Sequence, residues 1–182
     1  MQNCTFRFRD YIGSSIFEIF PELFFDNAPN EEEYIGLYGL LGRERITKWI
    51  KREYVKLPDN IDKFKVLVPK SNGSGAIGEV LSTPVIGHTL TFLSIGSFEK
   101  APYAEACLKY IKTRFARLLL GTLKVTQDNP KDTWANVPMQ DFTENSDIDW
   151  SKSVEEIDAQ LYTKYNLSAE EIAFIESMIK PM

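Results

Sequence analysis

Apolar and polar positions change their period several times along this chain, and each change predicts an element. Residues 1–33 are rich in Phe and in acidic side chains, and Pro21 and Pro29 break any long helix there. "EYIGLYGLL" predicts a short strand around residues 34–38, with a helical turn as the alternative. "GRERITKWIKREYV" places Ile46, Trp49, Ile50 and Tyr54 on one side at helical spacing. That spacing predicts a helix with Arg43, Arg45, Lys48, Lys51 and Arg52 on its wet face. From "DKFKVLVP" the period becomes two: Val66 and Val68 alternate with Lys65 and Leu67, and Pro69 closes the strand. "STPVIG" and "HTLTFLSIG" are further β-rich runs, bounded by Pro84, Gly87 and Gly96.

"APYAEACLKYIKTRFARLLLG" reads as one helix. Its stripe is Cys107, Tyr110, Ile111, Phe115, Leu118 and Leu119, and Gly121 is the natural stop. "TLKVTQDNPKDTWANVPMQDF" is β-rich or irregular. Two further helices are announced by capping boxes, Ser153 with Glu156 and Ser168 with Glu171, and Leu167 with Ile172 suits a hydrophobic staple. The order predicts an α/β chain of the α+β kind: a mixed β-sheet core packed with helices, followed by a C-terminal helical tail. Its expected segments are an acidic, aromatic stretch at 1–33, an α/β core at 34–143 and a helical tail at 144–182.

Composition narrows the class. With 182 residues the chain is long enough for one cored domain, and no run approaches the roughly eighteen apolar residues of a membrane span. Charged residues Arg7, Arg9, Asp10 and Glu18 interrupt the beginning, which excludes a signal-peptide core there. Cys4 and Cys107 are too few for a disulfide framework, so a cytoplasmic protein is the simplest expectation. The net charge is −5, but it is unevenly spread. Residues 43–131 carry 16 basic and 8 acidic side chains, whereas 1–42 carry 2 and 7 and 132–182 carry 3 and 11. An electropositive middle can bind a polyanion, or the acidic ends can fold back on it.

Gly73, Gly75 and Gly78 form a G-x-G-x-x-G array after a strand. A dinucleotide site needs a helix next, because its N-terminal N–H groups hold the pyrophosphate. Here Pro84 leaves about one turn, and Val80, Thr83, Val85 and Ile86 favour a strand; Glu99, at the spacing of a ribose-binding acid, lacks the βαβ context. The array is therefore expected to be a polar loop at 70–78, where Lys70, Ser71 and Asn72 suit phosphate or base edges. His88 is the only histidine and stands at a strand end, no C-x-x-C or H-E-x-x-H occurs, and "DFTENSDIDW" lacks the glycine of a calcium loop. No catalytic or metal-ligating residues are assigned. Basic residues Lys109, Lys112, Arg114, Arg117, Lys124 and Lys131, interleaved with Gln127 and Trp134, carry the best binding signal. Arg114, Lys124, Gln127 and Lys131 join the loop residues as candidate DNA contacts.

From "YGLLGRERITKWI" through "KVLVPKSNGSGAIGE", "TFLSIGSF" and "KYIKTRFARLLLG" to the tail, roughly residues 34–182, the chain resembles a known class. It is similar to the C-terminal region of bacterial type II restriction-modification proteins that carry an adenine-N6 DNA methyltransferase. That resemblance implies a DNA target-recognition (specificity) domain that reads double-stranded DNA, with 34–143 as its recognition core. The Asn-Pro-Pro-Tyr motif that holds a flipped adenine is missing, since Asn129-Pro130 is followed by Lys131, and no S-adenosylmethionine motif is found. The resemblance thus implies no enzyme in this chain alone. S-adenosylmethionine would bind in a methylase domain or subunit acting as its partner, and no membrane is involved. The loops at 70–78 and 126–134 would contact base edges. A docking or scaffold piece, contacting the methylase or nuclease part of such a complex, is the alternative expectation.

Overall fold

The computed structural model of the protein describes residues 12–30, 32–71, 78, 80–122, 128, 131–135 and 137–182. It has the expected α+β fold, arranged as two small sheets with helices gathered mainly on the second.

The first sheet begins with β1 (Tyr34–Leu41), which turns at Gly42-Arg43 into antiparallel β2 (Glu44–Lys51). Gly42 has φ +61°, a left-handed conformation that favours glycine and suits a tight hairpin turn. The helix expected from Arg43 onward is therefore a strand. Ile46, Trp49 and Ile50 fit helical spacing, but Ile46, Thr47, Trp49 and Ile50 all favour a pleated surface, and the hairpin starting at Leu41↔Glu44 gives that backbone its partners. Phe25 exchanges two backbone hydrogen bonds with Trp49, 2.9 and 2.8 Å, and so covers part of β2's outer edge. On β1's other side, β5 (Ile86–His88) pairs in parallel. Beneath lie Ile16 and Phe17 of the short helix α1 (Ile16–Ile19), in one apolar cluster with Ile35, Leu37, Ile50, Val55 and Ile61.

The second sheet centres on β3 (Phe64–Pro69), flanked antiparallel by β4 (Val80–Ser82) and β6 (Phe92–Phe98). Val66 and Val68 face the larger core, which they share with Cys107, Ile111, Phe115, Leu120, Ile157 and Leu161. The helices around it are α2 (Ala101–Lys112), α3 (Arg114–Thr122), α5 (Val154–Lys164) and α6 (Ala169–Met178), while the single turn α4 (Lys131–Trp134) precedes the last two. Packing cuts across the three segments read from the sequence: residues of the first segment share a core with β1, and tail residues share one with β3.

The one long helix expected over the central segment is two. Thr113, at φ −60° and ψ 149°, breaks it; its hydroxyl donates to Tyr110 O and accepts from Ala116 N. The buried Asp158 carboxylate, on α5, accepts from Arg114 N at 2.9 Å and Phe115 N at 3.0 Å, so another helix's side chain caps α3. Burial raises the Asp158 carboxyl above its ordinary pKa, against those two donors. Both capping boxes form as expected, and Leu167 and Ile172 pack against the larger core. Among the described residues no helix is long and apolar enough to cross a membrane.

Lys65 departs from the alternating pattern, which put it on a polar face. Its side chain is fully buried. The ammonium donates to Asn60 O (2.9 Å), Ile61 O (3.1 Å) and Lys63 O (2.9 Å), which uses all three of its N–H groups. Burial lowers its pKa from 10.5 to about 8, with nearby Asp62 opposing. Just above pH 8 the unfolded chain therefore holds a proton that the folded chain has released, and stability rises with pH. Cys107, pushed by burial from 9.0 to about 12, opposes this trend above pH 9. We expect urea midpoints to rise between pH 8 and pH 9 and the Lys65→Met variant to lack that rise. At pH 7 the variant should lose at least about 3 kcal/mol, because three buried carbonyls are left without a donor.

Candidate nucleic-acid interface

The glycine-rich stretch joins two antiparallel neighbours, β3 and β4. A strand follows the glycines rather than a helix, so the pyrophosphate-holding helix N-terminus of a dinucleotide site is missing here. Lys70 is anchored through its backbone, N to Thr91 O at 2.8 Å, and its half-buried side chain has no partner among the described residues. Ser71 forms an isolated antiparallel bridge with Asp128. Ser71 and Asp128, one residue from each of the expected contact loops at 70–78 and 126–134, are thus neighbours although far apart in the chain. Asn72, Gly73 and Gly75 lie outside the described residues, as do Lys124 and Gln127.

The other end of the glycine connection meets β2. Arg45 Nη1 donates to Gly78 O at 3.1 Å, and the guanidinium lies 5.8 Å from the Phe92 ring centre. A Cβ on Gly78 would come within 2.5 Å of Arg45 Nη2, so a larger residue there displaces the arginine. Arg43 stands exposed in the hairpin turn just before it. Arg45 thus holds Gly78 at one end of the glycine connection and Lys70 stands at the other, with Asp128 opposite Ser71 adding one negative charge. The arginines were expected on a helix's wet face. Gly42 followed by β-favouring residues was the signal for the strand that carries them here.

The helical cations are placed differently. Arg114 opens α3, and its Nη1 lies 3.3 Å from Glu176 Oε1 on α6. Lys109 donates to Trp150 O (2.8 Å) and Lys152 O (2.9 Å), while the buried Arg117 donates to Lys180 O (2.8 Å). These side chains tie the tail to the core, so the basic wet face expected of the central helix is largely an internal seam. Lys131 opens α4, but its side chain lies outside the described residues. Trp134 lines a cavity between β6 and α2.

Ion pairs answer the question posed by the uneven charge. Lys48 pairs with Asp26, Lys100 with Glu144 at 3.0 Å and Arg114 with Glu176, each joining the basic middle to an acidic end. Hydrogen bonds from the Tyr103 hydroxyl, first, and from Lys100 hold the Glu144 carboxyl down to about 2. The acidic ends fold back on the middle.

His88 ends β5, half-buried, with Nδ1 2.9 Å from Thr89 O. Cys107 is buried and its thiol stays protonated near neutral pH, so it does not supply a thiolate nucleophile. Among the described residues no group of His, Cys, Asp and Glu is arranged to hold a metal ion. No family model, curated protein or solved structure matches the chain. We expect Arg114→Ala to cost at most about 1 kcal/mol in a urea melt, as its partner Glu176 is half-exposed, and to leave DNA retention unchanged.

Proposed function

We propose that this chain is a non-catalytic DNA-contacting module that takes hold of the duplex at the glycine-loop edge. Its role would be that of a target-recognition domain for an adenine methyltransferase. Methyl transfer and S-adenosylmethionine belong to a separate methylase domain or subunit in this reading. The observation that carries it is the Ser71–Asp128 bridge, which joins one residue from each of two separated polar segments next to Lys70, while Arg45 holds Gly78 at the far end of the glycine connection. In this reading cationic side chains at strand ends grip phosphates, and the polar segments between them would meet base edges. The glycine array itself leads into β4, so no cofactor site is assigned to it.

A second reading has its own support. Ion pairing between the basic middle and the acidic ends leaves less positive charge for a polyanion, which favours a protein-docking module contacting the methylase or nuclease part of a complex. Fluorescence anisotropy of the chain with a randomised duplex pool at low and moderate salt, followed by sequencing of the retained DNA, separates the two. The recognition reading expects enrichment of a short motif and an affinity that falls with salt with a log–log slope of about −3 for three phosphate contacts. The triple variant Arg43→Ala, Arg45→Ala, Lys70→Ala should bring that slope close to zero. Absence of binding at low salt would sink the recognition reading and leave the docking one.

A further inference from the structure

The last helix, α6, buries one side only. Ile175 is enclosed and Ile172 is packed against the larger core, where α6 lies on α3. Its outward side is unlike that of its neighbours. Among the described residues, α6 alone of the four longer helices leaves large apolar side chains exposed, Phe174 at 54% and Met178 at 60%. Single apolar residues on a surface are ordinary, but these two are four apart and stand one above the other on the same flank. Glu170, also exposed, is the preceding member of the same row. Glu170, Phe174 and Met178 therefore form one i, i+4 ridge, acidic at its start and apolar beyond.

The charge around the ridge has one sign. Helices α5 and α6 carry six carboxylates and one lysine. Asp158 is buried, Glu176 faces Arg114 and Lys164 is taken by Asp147 at 2.7 Å. Glu155, Glu156, Glu170 and Glu171 remain exposed, and even with Lys152 and Lys180 just outside the two helices the surplus is negative.

We propose that the outward ridge of α6 is a docking face for a basic amphipathic helix of a partner protein. A ridge of i±4 side chains packs into the groove between corresponding rows of another helix, which sets the form of the partner. Phe174 supplies a stiff anchor of large area and Met178 an adaptable one. The carboxylates at the head of the ridge and around it call for Lys or Arg on the partner's flank, and they repel a nucleic acid or an anionic membrane. None of Arg43, Arg45, Lys70, Ser71 and Asp128 belongs to α6, so the inference does not depend on the DNA reading.

The test selects from a displayed library of helical peptides with randomised surface positions, with the full chain as bait. Enriched peptides should be basic and carry apolar residues at i, i+4 spacing. Their affinity should fall at least about tenfold for Phe174→Ser and about two- to fivefold for Glu170→Gln, the second loss shrinking as salt rises. Both positions are exposed, so thermal melts of the two variants should match that of the unaltered chain. The proposal is overturned by a lack of enrichment, by enrichment of acidic or uncharged peptides, or by peptides that bind Phe174→Ser as well as the unaltered chain. Concentration-dependent dimerisation that Phe174→Ser abolishes would give this face to a second copy of the chain and overturn it equally.

Discussion

The ammonium of Lys65 sits at a point on which both halves of the fold depend. Its three donors reach the carbonyls of Asn60, Ile61 and Lys63, which form the short connection leading into β3. Ile61 belongs to the first core, and its carbonyl also accepts from Val85 N at 2.8 Å, just before β5 joins the first sheet. Asn60 in turn donates to Ser94 Oγ and Gly96 O on β6. One buried lysine thus organises the carbonyls of a segment that touches both sheets. The arrangement is demanding, because a buried charge is tolerated only where its hydrogen bonds are complete. Val85 shows the associated strain: a β-branched residue held at φ 69° between Ile61 O and Gly36 N.

A second buried charge organises the helical half. Asp158 occupies the start of α3 and fixes where the chain bends between α2 and α3. With α5 anchored by its cap, α6 is brought to α3, and Arg114 meets Glu176. Lys109 and Arg117 then satisfy carbonyls of the tail. Helical cations available in principle to a polyanion become the fasteners of the C-terminal layer. The remaining described cations near the glycine connection owe their position to β-structure: Arg45 through the β1–β2 hairpin, and Lys70 through the end of β3.

The local signals in the sequence proved sufficient wherever local chemistry decides the backbone. Both tail helices start at Ser153 and Ser168 because each hydroxyl and its following glutamate satisfy one another's orphan donors within a few residues. The glycine array leads into a strand because Pro84 and the β-branched residues around it leave no room for a helix. Cys107 is buried as its stripe position implies, and the mixed α+β class follows from the succession of periods. Where two patterns compete, sequence alone was insufficient. Ile46, Trp49 and Ile50 satisfy a helical period, yet pairing with β1 across Gly42 made the segment a strand, since hydrogen bonding to a neighbour outweighs a weak periodic preference.

What the sequence by itself determined were the strengths of short-range preferences: caps, turn residues, apolar stripes and the uneven distribution of charge. Tertiary structure alone decided which charges face one another. Nothing near Thr113 announces that Asp158 will cap the following helix, and nothing near Lys65 announces a cradle of carbonyls. The same is true of the bridge that sets Ser71 against Asp128 and of the cavity beneath Trp134. Each depends on groups brought together from separate elements, and the energy of such a contact depends on burial and distance, which no local run of residues encodes.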